Sequence, residues 1–175
     1  MKMYKRLAKK ISYDRKKRKK KDIRYIVIHY TAGENDTAKN EVDYFAKSND
    51  REAGAHFFVD RKGKIGRSIP MNRTAWAVGG NKYPGTKGGK YYGKCTNYNS
   101  VSIELCGNLT RLPSKDQIAA VKKLIKYIHK YCKNIPKKNV VRHYDITGKE
   151  CPKLMIGDSK SKGGKAWSKF KKEVI

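Results

Sequence analysis

The feature that most constrains the fold is the apolar run "IRYIVIHYT" at residues 23–31. β-Branched and aromatic residues dominate this short run, which is typical of a strand buried inside a sheet. Side chains alternate along a strand, so His29 lies on the same face as Tyr25 and Val27. The run therefore predicts a buried strand with a histidine near its C-terminal end.

The rest of the chain alternates between helical and extended patterns. Strands are predicted within 99–108 and 139–143, a β-hairpin within 55–69, and helices within 36–50, 114–132 and 165–175. Residues 79–99 are rich in Gly, Lys and Tyr and predict a long loop, which in a compact domain is often functional. This alternation favours a single α/β domain with a central mixed sheet flanked by helices.

Two local patterns refine this prediction. Ser114, followed three residues later by Gln117, has the form of a capping box at the start of a helix. In the strand "SVSIELCG", Glu104 alternates with Val101 and Ile103 and so points to the opposite face of the sheet.

Composition limits the class of protein. A chain of 175 residues is long enough for one domain with a real core, and its net charge of +28 favours polyanionic partners such as nucleic acid, anionic lipid or teichoic acid. The sequence has neither a long apolar run nor an apolar segment after its basic start, so we expect synthesis in the cytoplasm without a signal peptide. The four cysteines form no CxxC pair, which favours free thiols in a reducing compartment.

The first 22 residues differ from the rest of the chain. They contain twelve lysines or arginines and two aspartates, a net charge of +10. Apolar residues recur between Met3 and Ile11 at helical spacing, which predicts either a basic amphipathic helix or a disordered, solvated tail. We expect residues 1–22 to be a tail and residues 23–175 the folded domain. The cations predicted to attach the tail to an anionic wall or membrane are Lys2, Lys5, Arg6, Lys9, Lys10, Arg15, Lys16, Lys17, Arg18, Lys19, Lys20 and Lys21.

Three residues could form a metal site. His29 and His143 each lie near a predicted strand end, and Cys151 follows eight residues after His143. Two imidazoles and a thiolate suit zinc, and three protein ligands leave a fourth position open. Spacing alone leaves the alternative that both histidines are structural and that Cys151 is simply buried.

Five motifs together resemble the type 2 family of zinc-dependent N-acetylmuramoyl-L-alanine amidases, which includes phage endolysins and the peptidoglycan recognition proteins. The motifs are "YIVIHYTAG" (25–33), "GAHFFVDRKGKI" (54–65), "TAWAVGG" (74–80), "NSVSIELCGN" (99–108) and "VVRHYDITGKECP" (140–152). Their order and spacing cover residues 23–175, and the sequence looks most similar to clostridial phage or prophage lysins and autolysins.

The resemblance implies a role for each matching residue. His29, His143 and Cys151 would bind one Zn²⁺ per chain, Glu104 would act as the catalytic base, and Lys149 would stabilise an oxyanion. Cys151 also favours an enzyme, because recognition proteins with Ser in its place lack catalysis. The residues predicted to contact substrate are Trp76, Tyr83, Tyr91, Tyr92 and His56, the last being either structural or cleft-lining.

The sequence departs from the family at two positions. Ala55 stands where one branch has a tyrosine, which increases the reliance on Glu104. Ala77 stands where many relatives have a histidine that lines the cleft, so its absence affects substrate contacts rather than the metal. Asp145 would be either a turn residue or a support for the ligands.

The implied reaction is hydrolysis of the amide bond between N-acetylmuramic acid and L-alanine in peptidoglycan. We expect a monomer that acts at the bacterial cell wall after release by phage or prophage lysis, with the tail supplying attachment to teichoic acid or membrane. The alternative is a peptidoglycan-binding or cationic antimicrobial protein without catalysis. Charge alone suggests nucleic acid, but no nucleic-acid motif supports that partner.

Overall fold

The computed structural model describes residues 1–133 and 135–175. The strands are β1 (Tyr4–Lys5), β2 (Tyr13–Asp14), β3 (Tyr25–Tyr30), β4 (Phe57–Val59), β5 (Ile65–Arg67), β6 (Thr74–Ala75), β7 (Ser100–Leu105) and β8 (Val140–Arg142). The α-helices are α1 (Ala38–Lys47), α2 (Lys115–Tyr131), α3 (Tyr144–Thr147) and α4 (Lys162–Val174). The predicted strands, hairpin and three longer helices are thus confirmed.

Six strands form a mixed sheet in the order β1-β5-β4-β7-β3-β8. Strand β5 is antiparallel to β4, while β4, β7, β3 and β8 run parallel to one another. Parallel strands deliver their C-terminal ends to the same edge of a sheet, where α/β folds commonly bind ligands. The fold therefore places the ends of β7, β3 and β8 side by side.

One face of the sheet packs against α2 and α4. Ile28 and Ile103 project from β3 and β7 into the same cluster as Leu124 of α2 and Phe170 of α4, and all four are buried. The hydroxyl of Ser114 caps α2 by accepting from the Gln117 amide, as predicted. The reciprocal half of the capping box is absent, because the Gln117 side chain donates instead to the carbonyls of Val59 and Cys106.

The other face of the sheet is covered by α1 and by the long loop. Ala38 and Val42 of α1 are buried against Phe58 and Cys106. The loop residues before β7 cover Val27 and its neighbours on the adjoining part of this face. Glu104 and His29 point to this face, as the alternation in their strands predicts.

The predicted amphipathic helix in residues 1–22 is wrong. Residues Tyr4–Lys5 pair in parallel with β5, and Tyr13–Asp14 pair antiparallel with β6. Ala8 and Tyr13 are buried with Ile69 and Ala75 in a small apolar cluster. Leu7 and Ile11, which would complete a helical stripe, are instead exposed.

Arg18 ties the N-terminal segment (residues 1–22) to the domain. Its side chain is 4% exposed. The guanidinium donates to the carbonyls of Met71, Asn97 and Tyr98. Arg18 is therefore unavailable for surface attachment, contrary to prediction, whereas the other eleven cations of the segment are exposed.

The four cysteines are free thiols, as predicted. Within the described residues, no helix combines the length and the apolar character that crossing a membrane requires.

Candidate metal centre and cleft

The ends of three parallel strands bring the main candidate residues together. His29 is the penultimate residue of β3, and Glu104 is its register partner on β7. His143 follows the last residue of β8, and its amide donates to the carbonyl of Ile28 at 3.2 Å. Two histidines and one glutamate thus lie at one edge of the sheet.

A compact turn returns the chain to this edge and delivers Cys151. The amide of Tyr144 donates to the Cys151 carbonyl at 2.9 Å, which closes the turn around α3. Asp145, in α3, forms an ion pair of 2.6 Å with the buried Arg142 and accepts from the Arg142 amide. Arg142 also donates to the carbonyls of Met155 and Gly157, beyond Cys151. Asp145 and Arg142 therefore brace the segment that carries His143 and Cys151.

His29, His143 and Cys151 form a tight cluster. The potential ligand atoms of the three residues all lie within 4.8 Å of one another, and Cys151 Sγ is 3.8 Å from His29 Nδ1. The two imidazole rings meet edge to face with their centroids 4.8 Å apart. All three side chains are buried. This is a donor set that suits zinc.

The hydrogen bonds around the cluster fit a metal site. His143 Nε2 lies 3.0 Å from the Val78 carbonyl, to which it donates as the protonated nitrogen, leaving Nδ1 as a lone-pair donor. The buried Nε2 of His29 has no hydrogen-bond partner among the described residues, an unusual state for a polar atom that is common at functional sites.

Burial favours the neutral forms of these groups. It lowers the pKa of His143 to about 4, with the Lys149 charge contributing, and it lowers the pKa of His29 well below its ordinary value. Burial also raises the pKa of the Cys151 thiol, helped by the Glu104 charge. Two imidazoles with free lone pairs are thus ready to bind a metal, whereas the thiol must first lose its proton.

A cleft of about 430 Å³ opens beside this cluster, and Glu104 and Lys149 line it with the three candidate ligands. Glu104 Oε2 is enclosed without a hydrogen-bond partner among the described residues. Burial raises the pKa of Glu104 to about 8, assisted by the charge of Glu41 and opposed by that of Lys149. A carboxyl group whose pKa lies close to neutral pH suits proton transfer.

Only some of the residues predicted to contact substrate line the cleft. Trp76 lines the cleft, as does Ala77. Tyr83 and Tyr92 lie on the loop outside the cleft lining with exposed rings, so contact with an extended substrate stays a prediction for both. Tyr91 also lies outside the lining and packs against Tyr25 with a centroid distance of 5.9 Å. Tyr91 is thus placed as a packing residue.

His56 belongs to the interior rather than the cleft. It is 0% exposed, and its Nδ1 accepts from the Ser102 amide. Nε2 then carries the proton and donates to the Arg73 carbonyl, with the Arg18 guanidinium 2.9 Å away. Burial and this neighbouring cation lower the pKa of His56 to about 3. The structure therefore places His56 in the interior, with both ring nitrogens hydrogen-bonded.

One wall of the cleft was missed by the sequence analysis. Glu41, Tyr44 and Phe45 of α1 line it, together with Arg51 from the following loop. The first three are spaced i, i+3 and i+4, which places them on one helix face. That spacing is visible in the sequence, but the sequence analysis gave these residues no role in the site.

The site is that of an α/β domain with a candidate metal-binding cluster, a carboxylate and a lysine in an open cleft. The chain belongs to the N-acetylmuramoyl-L-alanine amidase family, whose model matches residues 19–154. The match includes all three candidate ligands, Glu104 and Lys149.

Individual relatives agree with this membership. The N-acetylmuramoyl-L-alanine amidase CwlL of Bacillus licheniformis is 30% identical over 91% of the chain. The solved structure of PlyL has a TM-score of 0.73 at 26% identity, covering 99% of this chain and 97% of that one. The amidase LysC from Clostridium intestinale shares the fold, with a TM-score of 0.58 at 22% identity, covering 87% of this chain and 89% of that one. The chain spans 44% of the length of CwlL and 41% of two other Bacillus amidases.

Proposed function

We propose that this domain is a zinc-dependent peptidoglycan amidase that hydrolyses the bond between N-acetylmuramic acid and L-alanine. One observation carries the proposal: His29, His143 and Cys151 gather within 4.8 Å beside Glu104 in an open cleft. Membership of the amidase family and the amidase activity for which CwlL is named support it.

The three clustered side chains are the residues that would hold the zinc ion. When bound, zinc in such a site polarises a carbonyl group and lowers the pKa of a water molecule to about 7. The bond from His143 Nε2 to the Val78 carbonyl fixes the orientation of this ring, as a partner of a ligating histidine should.

Glu104 is the proposed general base. Its carboxylate takes a proton from the attacking water and delivers it to the departing amine of L-alanine as the C–N bond breaks. The pKa of about 8 in the metal-free site describes a carboxyl that burial keeps partly protonated. The ionised form that the base requires is favoured by Lys149 and by a cation in the neighbouring site.

Lys149 is the proposed electrostatic partner of the reacting carbonyl. It is exposed, yet it lines the cleft two residues before Cys151. A lysine ammonium aimed at the carbonyl oxygen would stabilise the negative charge that develops when water adds. In the absence of substrate, Lys149 makes no ion pair with any described residue, so its ammonium is free to do so.

The cationic surface is proposed to hold the enzyme at the bacterial wall after release from the cell. The eleven exposed cations of the N-terminal segment lie on the folded domain rather than on a separate tail. Each lysine or arginine near an anionic membrane contributes about 1 kcal/mol of attraction, and salt screens this contribution. Anionic teichoic acid offers a surface of similar chemistry.

Zinc analysis combined with product analysis tests the proposal. Purified peptidoglycan treated with the wild-type protein should release stem peptides free of muramic acid. The protein itself should carry about one zinc ion per chain. E104A should keep the zinc and lose the release. If H29A or C151A still lyses cells, the protein acts without catalysis as a binding or antimicrobial protein and the amidase proposal is wrong.

A further inference from the structure

Glu41 is a second carboxylate in the cleft, and the proposed hydrolysis gives it no role. It lies in the first turn of α1 and lines the cleft with Tyr44 and Phe45 on the same helix face. The adjacent face of the helix is different, because Val42 is fully buried in the core. The α1 wall of the cleft therefore presents one acid and two aromatic rings.

Glu41 lacks a partner within the protein. Among the described residues, its carboxylate makes no ion pair and no hydrogen bond, although the chain has a net charge of +28. Its neighbour Asp43, by contrast, pairs with both Arg6 and Lys39. An unpaired carboxylate that is half-buried is costly, so a missing donor is the expected complement.

Other roles for Glu41 fit less well. Thr37 caps the start of α1 through its hydroxyl, so Glu41 is not needed as the cap. The candidate metal cluster among the described residues consists of His29, His143 and Cys151 and does not include Glu41. Burial and the charge of Asp36 raise the pKa of Glu41 to about 7.

We propose that Glu41 binds an ammonium group of the stem peptide and so selects the substrate of the amidase. This inference rests on the proposed function. Stem peptides contain a diamino acid whose side-chain amine is free until cross-linking converts it to an amide. A carboxylate attracts that ammonium. The aromatic side chains of Tyr44 and Phe45 line the same wall, and aromatic rings attract a nearby cation. The enzyme should therefore prefer stem peptides with a free side-chain amine.

Paired soluble substrates test this assignment. The zinc-loaded enzyme is given two muramyl peptides that differ only at the diamino acid, with its side-chain amine either free or acetylated. The wild-type kcat/KM should be about 10- to 100-fold higher for the free amine, the range for one charge-assisted hydrogen bond. E41Q should reduce that ratio to about one, because its amide has nearly the same shape but no charge.

Matched measurements separate the possible results. E52Q changes an exposed acid close to the cleft and should keep the wild-type ratio. A wild-type ratio near one, or an E41Q variant that keeps the wild-type ratio, would overturn the assignment. So would an E41Q variant that loses activity on both peptides equally, since a structural role predicts that result. If the zinc-loaded wild type cleaves neither peptide, the proposed amidase function itself fails, and this inference with it.

Discussion

At the scale of single residues, the cleft holds ionisable groups that burial keeps neutral. The pKa of His143 is lowered and the pKa of Cys151 is raised by the same desolvation. Neutral groups limit the repulsion in a crowded pocket, but a metal requires the cysteine as thiolate. Zinc binding should therefore release a proton, and zinc affinity should increase with pH.

The role of Cys151 as a zinc ligand can be tested by replacing its sulfur atom with oxygen. Cys151→Ser should reduce bound zinc and abolish amidase activity, because a hydroxyl is a much poorer zinc ligand than a thiolate. Zinc content by elemental analysis and peptide release are the measurements. Cys132→Ser, at an equally buried thiol outside the cleft, is the matched control and should keep its zinc. Equal zinc content in the two variants would remove Cys151 from the ligand set.

The raised pKa of Glu41 predicts how the stability of the fold depends on pH. Its pKa is raised from 4.5 to about 7, so between these values the folded state retains a proton that the unfolded state has lost. Stability should therefore fall as pH rises through this window, and the penalty should be fully present above it. Glu41→Gln should not alter Tm near pH 4 but should raise Tm by an amount that grows toward about pH 8.

Thermal unfolding of the metal-free protein across this pH range checks that expectation. Glu52→Gln, at an exposed site, should show no such trend. A Tm difference for Glu41→Gln that is the same at every pH would contradict the prediction. A substitution that stabilises the fold and weakens substrate selection would be a trade-off often found at functional sites.

At the scale of elements, the N-terminal segment belongs to the fold. Its strands pair with β5 and β6, and Ala8 and Tyr13 complete an apolar cluster. Deleting residues 1–22 would therefore expose that cluster and leave two strand edges unpaired. A loss of lysis after such a deletion would not distinguish lost attachment from lost stability, so point substitutions are the sharper test.

Among the residues of this segment, Arg18 should anchor it most strongly to the rest of the domain. Arg18→Ala removes the donor to three backbone carbonyls and should lower the free energy of unfolding by about 3 kcal/mol, since leaving even one buried group unpaired costs about 1–3 kcal/mol. Urea unfolding measures the change. Arg15→Ala, at an exposed neighbour, should change stability by less than about 0.5 kcal/mol. Equal effects of the two substitutions would show that the segment is not anchored through Arg18.

At the scale of the whole molecule, the net charge of +28 is the dominant property. The described ion pairs involve only two aspartates and three cations, so most of the basic residues remain uncompensated. The resulting field should draw the protein to anionic surfaces over distances of about 8–10 Å at physiological salt.

Attachment by the N-terminal segment can be separated from attachment by overall charge. One variant neutralises five exposed lysines of the segment to glutamine: Lys9, Lys10, Lys16, Lys17 and Lys21. The matched control neutralises five exposed lysines near and on α4: Lys160, Lys162, Lys165, Lys169 and Lys172. The first should bind isolated cell walls less tightly than the second, with a weaker dependence on NaCl, while both retain activity on soluble peptides. Equal binding by the two variants would assign attachment to the net charge alone.

Most of the fold could be predicted from the sequence because its elements follow local patterns. The run around Val27 and the alternation around Ile103 predicted strands, and the helical spacing around Leu124 predicted α2. The prediction for the N-terminal segment was wrong because very short strands show no recognisable period of apolar residues. Met3, Tyr4, Leu7 and Ala8 fit a helical stripe, but pairing with β5 decided their conformation.

The candidate site, too, could be predicted from the sequence only in part. His29 and His143 could be placed at strand ends from the sequence and Glu104 on one face of its strand, and the resemblance to amidases implied their roles. His56 looked like a cleft residue because it lies in a family motif, yet Arg18, Arg73 and Ser102 enclose it. Glu41 was overlooked because a helix carries acids on many faces, and only packing shows which one faces the cleft.

The sequence by itself determined the types of element, the excess of positive charge and the chemical groups available for catalysis, because these depend on local pattern and composition. Only the tertiary structure decided which of those groups meet. Parallel pairing of β7, β3 and β8 brings His29, Glu104 and His143 to one edge, although they are far apart in the chain. The turn around α3 then brings Cys151 within 3.8 Å of His29, because backbone hydrogen bonds and the Arg142–Asp145 pair fix its path.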